Sequence, residues 1–360
     1  MLSSILQKIM SKGKSSFFKK IVVAVIFITL ILGGVGGYYG YKTIYQSNVN
    51  LGDKKSEIIY IPSGSTFDDV IRILGENNIL KNRSTFELLS ERKKYKNAIK
   101  PGKYRILANM NNNALVNLLK AGIQEPIKFN FKGLHTVDEF MSRLGRRIEA
   151  DSLSLHQAVR DNGYLNKFGF NSGNVQALFI PGNYEFYWNT SVDQVFERMA
   201  VEYKKFWNQE RKSKANSIGF RQTEISTLAS IVQAEQCCDN EEKKVIAGLY
   251  INRLKDRMPL QSDPTVIYAV GDFKIQRVSF EQTRINSPYN TYMNKGLPPG
   301  PIGFAQQSSI DAVLNFDQND YIYMCAKEDL SGKHYFSKSY DQHCIYAKRY
   351  RDALNARNIH

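Results

Sequence analysis

Residues 223–235 read as a helix that places one carboxylate where acid–base chemistry can occur. Ile225, Leu228, Ala229, Ile231 and Val232 form its apolar side. At about 100° per residue, Glu235 falls about 20° from Leu228 and about 40° from Ile231. A carboxyl aimed along an apolar stripe into a cleft has its charged form desolvated. Its pKa then rises and it becomes a proton donor near neutral pH. A surface acid at a fraying helix end fits the same wheel, so position alone leaves both readings open.

The segments that follow add polar groups suited to sugars. Asp239 with Glu242 starts another helix in the manner of a capping box; it runs past Asn252 and Arg253 and stops before Pro259. Residues 260–265 (Leu-Gln-Ser-Asp-Pro-Thr) place Asp263 as N-cap and Pro264 at the first helical position. Residues 287–292 and 296–302 form a loop dense in Tyr, Asn and Thr and stiffened by Pro and Gly. Rings cover sugar faces, and amides pair with hydroxyl and N-acetyl groups. Gln261, Asp263, Tyr289, Asn290 and Thr291 are therefore the candidate substrate-binding residues. Simple capping remains the alternative for Asp263, and a self-bonded turn for Asn290 and Thr291.

The four cysteines, Cys237, Cys238, Cys325 and Cys344, are too few for a disulfide framework. Bonding the neighbours Cys237 and Cys238 to each other is disfavoured by geometry. A zinc site with His343 lacks the usual ligand spacing. Neither metal nor cofactor is expected.

Five ordered motifs now stand within about 75 residues: Leu228-Ala229-Ser230-Ile231-Val232-x-x-Glu235, Ile251-Asn252-Arg253-Leu254, residues 260–266, Tyr289-Asn290-Thr291-Tyr292 and residues 296–302. Together they closely resemble the YceG-like family of endolytic murein transglycosylases, and the resemblance extends over nearly the whole chain. It implies a single-pass inner-membrane enzyme that cuts nascent peptidoglycan strands internally, with Glu235 at the family's catalytic glutamate. It also implies glycan strands and the membrane as partners, with peptidoglycan synthases (penicillin-binding proteins) as further candidates. Family members often carry a second acid two residues earlier; here that position is Gln233.

A lytic transglycosylase needs one acid/base. Glu235 would protonate the leaving oxygen, then take the proton of the muramic acid 6-hydroxyl as that oxygen closes a 1,6-anhydro ring. A plain hydrolase and a non-catalytic wall-binding scaffold are the competing readings. The hydrolase differs by one water in its products.

These residues need elements to hold them, and a location. The chain has 360 residues and a net charge of +15. Six lysines and no acid lie in residues 1–52, which leaves +9 for the rest. Between Lys20 and Lys42 run 21 uncharged residues, enough to span a ~30 Å hydrocarbon core at ~1.5 Å per residue. Five lysines precede this run and should stay in the cytoplasm, with the remainder outside. A cleaved signal peptide would need a shorter core and an Ala-x-Ala-like site, which is missing. An extracytoplasmic domain argues against nucleic acid as a partner, despite the basic charge.

The expected fold class is α+β, with a single transmembrane helix, a LysM-like α/β repeat subdomain and a mixed α+β catalytic domain. Its expected parts are a cytoplasmic N-terminus (1–20), the transmembrane helix (21–41) and a linker (42–57). The LysM-like subdomain (58–122), a second strand–helix unit with connecting region (123–210) and the catalytic domain (211–360) follow. The repeat rests on residues 66–75 and 136–145, which share Thr, Asp, Leu and Gly at a constant offset of 70, each after a strand. Tyr184, Phe186 and Trp188 alternate onto one strand face, better read as core than as a sugar platform.

Overall fold

The structure is a computed structural model that describes residues 2–357, with side chains for 20–357. Met1 and the side chains of the lysine-rich stretch before Lys20 lie outside the described residues. The chain is mixed α+β and divides into two units, Met1–Pro126 and Ile127–His360.

In the first unit, α1 (Leu2–Tyr45) is one continuous helix. Its stretch Lys20–Tyr45 is long and apolar enough to cross a membrane, and Val23, Phe27 and Leu30 are about two-thirds exposed (64%, 65% and 67%). No protein core covers them, which fits a helix whose solvent is lipid. A small layered body follows. β1 (Ser56–Ile61) pairs antiparallel with β2 (Gly102–Leu107), from Ser56 opposite Leu107 to Ile61 opposite Gly102. Between them lie α2 (Phe67–Glu76) and α3 (Arg83–Arg92), and α4 (Asn112–Ala121) follows. Ile59, Ile61, Leu74, Phe86, Tyr104 and Leu115 meet in its core. Gly122 ends α4 at φ 72°, a left-handed position where a side chain would be strained. Asn112 donates to the Thr43 carbonyl (2.8 Å), which ties α1 to this body.

The second unit opens with β3 (Ile127–Asn130), paired antiparallel with β4 (Asn183–Phe186). Between them run α5 (Val137–Gly145), α6 (Ser152–Ala158) and the short α7 (Asn162–Leu165). Tyr184 and Phe186 are buried, as the alternation predicts. Phe140 sits 4.8 Å from the rings of both Phe129 and Phe179, and Phe131 lies 5.0 Å from Phe304. Then come α8 (Val192–Phe206), α9 (Gln209–Ile218), α10 (Gln222–Glu235), α11 (Asn240–Lys255) and α12 (Asp263–Val270). After a long loop, α13 (Gln307–Leu314) precedes the hairpin of β5 (Tyr323–Ala326) and β6 (His334–Ser337), and α14 (Tyr340–Ala356) packs on that hairpin.

The two Thr-led helices start as their sequences require. Thr66 accepts from the Asp69 N–H (3.3 Å) while Asp69 accepts from the Thr66 N–H (2.9 Å). Thr136 and Glu139 make the same reciprocal pair at 3.2 and 3.4 Å. Thr66→Ala and Thr136→Ala should each cost ~1 kcal/mol, read as a lowered denaturant midpoint. Chemistry at Glu235 should persist in both; its loss in a folded Thr66→Ala protein would contradict a purely structural role.

Candidate active site

α10 differs from the amphipathic helix the sequence suggests. Every residue from Ile225 to Val232 is buried, so it runs through the core of its unit. Its hydroxyls are satisfied locally: Thr227 donates to the Thr223 carbonyl (2.8 Å) and Ser230 to that of Thr227 (2.7 Å). Ser230 also accepts from the Ile302 N–H (3.0 Å), and Gln233 bridges the Phe304 carbonyl and the Gln306 N–H (3.1 and 2.7 Å). These bonds anchor the loop of residues 296–306. A carboxylate at position 233 would accept from Gln306 but could not donate to Phe304.

Glu235 is the last residue of α10 and lines a cleft of about 460 Å³. Protein atoms crowd its carboxyl, although part of its surface faces the cleft. Its Oε1 accepts from Tyr250 Oη (2.8 Å) and from Ser262 Oγ (2.6 Å). Desolvation pushes its pKa up, the hydrogen bonds from Ser262 and Tyr250 and the field of His334 pull it partly back, and Asp263 pushes it up slightly. Among the described residues no side chain bonds Oε2, so that oxygen is available to a ligand.

Gln261 and Asp263 line the same cleft, together with Tyr250, Arg253 and Tyr292. Asp263 is the first residue of α12 rather than its N-cap, which is Ser262. The Ser262 hydroxyl makes no cap bond and donates to Glu235 instead, and Asp263 accepts from Tyr292 Oη. Arg253 is buried and donates to the carbonyls of Pro259 and Ile322 (2.9 Å each) and to the Gln261 side chain. Gln261 needs that support, since its φ of 53° is left-handed.

Tyr289, Asn290 and Thr291 do not face the cleft. Asn290 is fully buried and donates to the carbonyls of Thr283 and Ile285 (3.0 and 2.9 Å). Thr291 is buried and accepts from the Ser262 N–H (3.1 Å), holding the loop that carries Ser262. Tyr289 donates to the Gly173 carbonyl (3.0 Å), and its ring packs at a tilt against that of Tyr268, 4.8 Å away. Their polar groups are already spent on backbone and, for Thr291, on the Thr265 hydroxyl (2.8 Å).

The C-terminal hairpin and α14 supply lining that the sequence reading did not include. Tyr323, Cys325, His334 and His343 all border the cleft. Glu242 was read as a capping residue, but its Oε1 lies 2.8 Å from both the backbone N and Nδ1 of His334. A carboxylate partner requires the proton on Nδ1, which leaves Nε2 for other contacts. The pattern of Glu242 and His334, 92 residues apart, carries no local signal. Cys237 and Cys238 are bonded to each other just after Glu235, against the geometric expectation, while Cys325 and Cys344 are free. Burial pushes the Cys325 thiol up. Among the described residues no three His, Cys, Asp or Glu side chains converge as metal ligands.

The arrangement is a poorly solvated, protonatable acid in a cleft bordered by rings and one amide, that of Gln261. Comparison with known proteins bears on the family of the chain. A profile of the YceG-like family matches residues 59–349. The endolytic murein transglycosylase of Bacillus subtilis (strain 168) is 29% identical over 89% of this chain and 92% of its own length. The protein of that name in Streptococcus pneumoniae (strain ATCC BAA-255 / R6) is 26% identical over 90% of this chain, which spans 64% of that longer relative. A crystal structure of a yceG-like protein from Listeria monocytogenes matches 81% of this chain and 99% of its own, with a TM-score of 0.53 and 25% identity. With the five sequence motifs, the shared fold and a profile covering most of the chain in agreement, this chain belongs to the YceG-like family.

Proposed function

We propose that this protein is a membrane-anchored peptidoglycan lytic transglycosylase that cuts glycan strands internally and so ends their elongation. The observation that carries this reading is Glu235, a crowded carboxyl with a raised pKa and one oxygen open to the cleft. The names of the relatives support the substrate. The bond cut is the β-1,4 link from N-acetylmuramic acid to N-acetylglucosamine. Glu235 gives its proton to the glycosidic oxygen as the C1–O bond breaks. The 6-hydroxyl oxygen then bonds C1 and its proton returns to Glu235, leaving a 1,6-anhydro end. Tyr250 and Ser262 fix the carboxyl, and Gln261, Asp263 and Tyr292 contact the sugars. The β1–α2–α3–β2 body suits a LysM-like, strand-holding role.

Asp263 in the same cleft favours a second reading, hydrolysis, in which it would activate a water. Mass spectrometry of the products separates the two: anhydro ends support transglycosylation, and reducing ends heavier by one water overturn it.

Removing either hydrogen bond to Oε1 tests the acid through its pH profile. Both bonds favour the charged form, so Ser262→Ala or Tyr250→Phe should raise the Glu235 pKa. The alkaline limb of activity should then move to higher pH by about one unit. An unchanged or acid-shifted limb would speak against Glu235 as the proton donor.

The anchor reading sets the N-terminus in the cytoplasm and residues after Lys42 outside the plasma membrane. A phosphatase reporter fused after His360 should be active. Activity of a cytoplasmic reporter there instead would reverse the topology.

A further inference from the structure

A second cavity, of about 320 Å³, opens beside the last turns of the apolar stretch of α1. Tyr39, Lys42 and Thr43 line it from one face of α1, where residues three and four apart are neighbours, and Gln46 lines it just past the helix end. Lys81, Asn82 and Thr85 line it from the body of the first unit.

Its floor is fixed. Asn48 and Asn112 are 4% and 1% exposed and bond each other at 2.7 Å. Asn112 also donates to the Thr43 carbonyl and to Thr85 Oγ1 (2.8 and 3.0 Å), and Asn48 binds the backbone of Asn82. The cavity is therefore not a gap left by floppy side chains. Its charge is of one sign. Among the described residues Lys42 and Lys81 line it and no acid does, nor does α3 or α4 carry an acid in its first turn. Among the described residues neither lysine is in an ion pair; Lys81 Nζ reaches only Ser47 Oγ at 3.4 Å. Tyr38, Tyr39 and Tyr41 on the same turns are 62–65% exposed, as rings at a membrane–water boundary are.

We propose that this cavity binds the phosphodiester headgroup of an anionic membrane lipid, with Lys42 and Lys81 on the phosphate oxygens and the amide and hydroxyl wall on the rest of the head. The inference rests on α1 spanning the membrane, which the reporter fusion decides independently. A lone lysine at a helix end meets headgroups loosely. Two lysines on a fixed, acid-free cavity at headgroup level select one lipid.

The test is native mass spectrometry of the full chain in detergent, titrated with phosphatidylglycerol, phosphatidylcholine or tail-free glycerol 3-phosphate. One phosphatidylglycerol per chain should be retained, and phosphatidylcholine should not. Lys42→Gln with Lys81→Gln should weaken retention about tenfold or more. Lys54→Gln with Lys55→Gln, an equal charge change outside the cavity, should not. Gln46→Trp, which fills the cavity and leaves charge alone, should mimic the first pair and guards against a folding defect in it. Equal retention by both lysine pairs, or of both lipids, overturns the proposal. Binding of glycerol 3-phosphate as tight as that of the lipid overturns it in favour of a soluble phosphate site.

Discussion

Glu235→Gln should lower turnover on glycan strands by ~10²–10⁴ and leave strand binding in place. That factor corresponds to ~2.7–5.4 kcal/mol of lost transition-state stabilisation. The amide keeps the shape of the acid, and its oxygen can still accept from Ser262 and Tyr250. What it lacks is a transferable proton. The change should also stabilise the fold near neutral pH. Desolvation raises the pKa of Glu235 in the folded chain above its unfolded value. Ionising it therefore costs stability as pH rises from the unfolded pKa through the folded one, and glutamine carries no such cost. Turnover of Glu235→Gln close to wild type would end the assignment. A dead variant beside wild-type products with reducing ends would keep the residue and change the reaction.

Arg253→Ala should be the costliest change in the loops around the site, at about 3–5 kcal/mol. Its guanidinium joins two pieces of chain through three acceptors: Pro259 and Gln261 in the turn after α11, and Ile322 at the entry to β5. Removing it strands two carbonyls and releases Gln261 from a left-handed backbone that few residues adopt unaided. A unit of this size should melt roughly 10 °C lower. Arg253→Lys should recover less than half of that, because an ammonium cannot fork to all three acceptors. A melting point within about 2 °C of wild type for Arg253→Ala would show that the strap is dispensable.

Local features were readable in the chain. Thr66 and Thr136 announce their helices because a cap needs only the next three residues. The place of Glu235 at the end of α10, on a cleft, was legible because helical period and motif agree on it. Its partners were not, since Tyr250 and Ser262 stand 15 and 27 residues away and meet it only through tertiary packing. Asp263 was placed one residue off because Ser262 and Asp263 are both good caps and sequence does not choose between them. Asn290 and Thr291 read as sugar-binding because composition says that a side chain is polar and nothing about which way it turns. Asn252 and Arg253 form a strap, with Asn252 donating to the Asn319 and Tyr321 carbonyls (2.7 and 3.1 Å).

The unbroken run of α1 into its clamp on Asn112 has a mechanical consequence. On the membrane-spanning reading, the apolar stretch and the body of the first unit share one rigid axis, without a swivel between them. A stretch of 26 residues is ~39 Å long. An ordinary tilt of ~20° lowers its tip by only ~2 Å but carries it sideways by ~13 Å. Rocking in the bilayer thus sweeps this body across a disc at nearly constant height, like the arm of a turntable, and searches for strands laterally without changing its stand-off from the lipid.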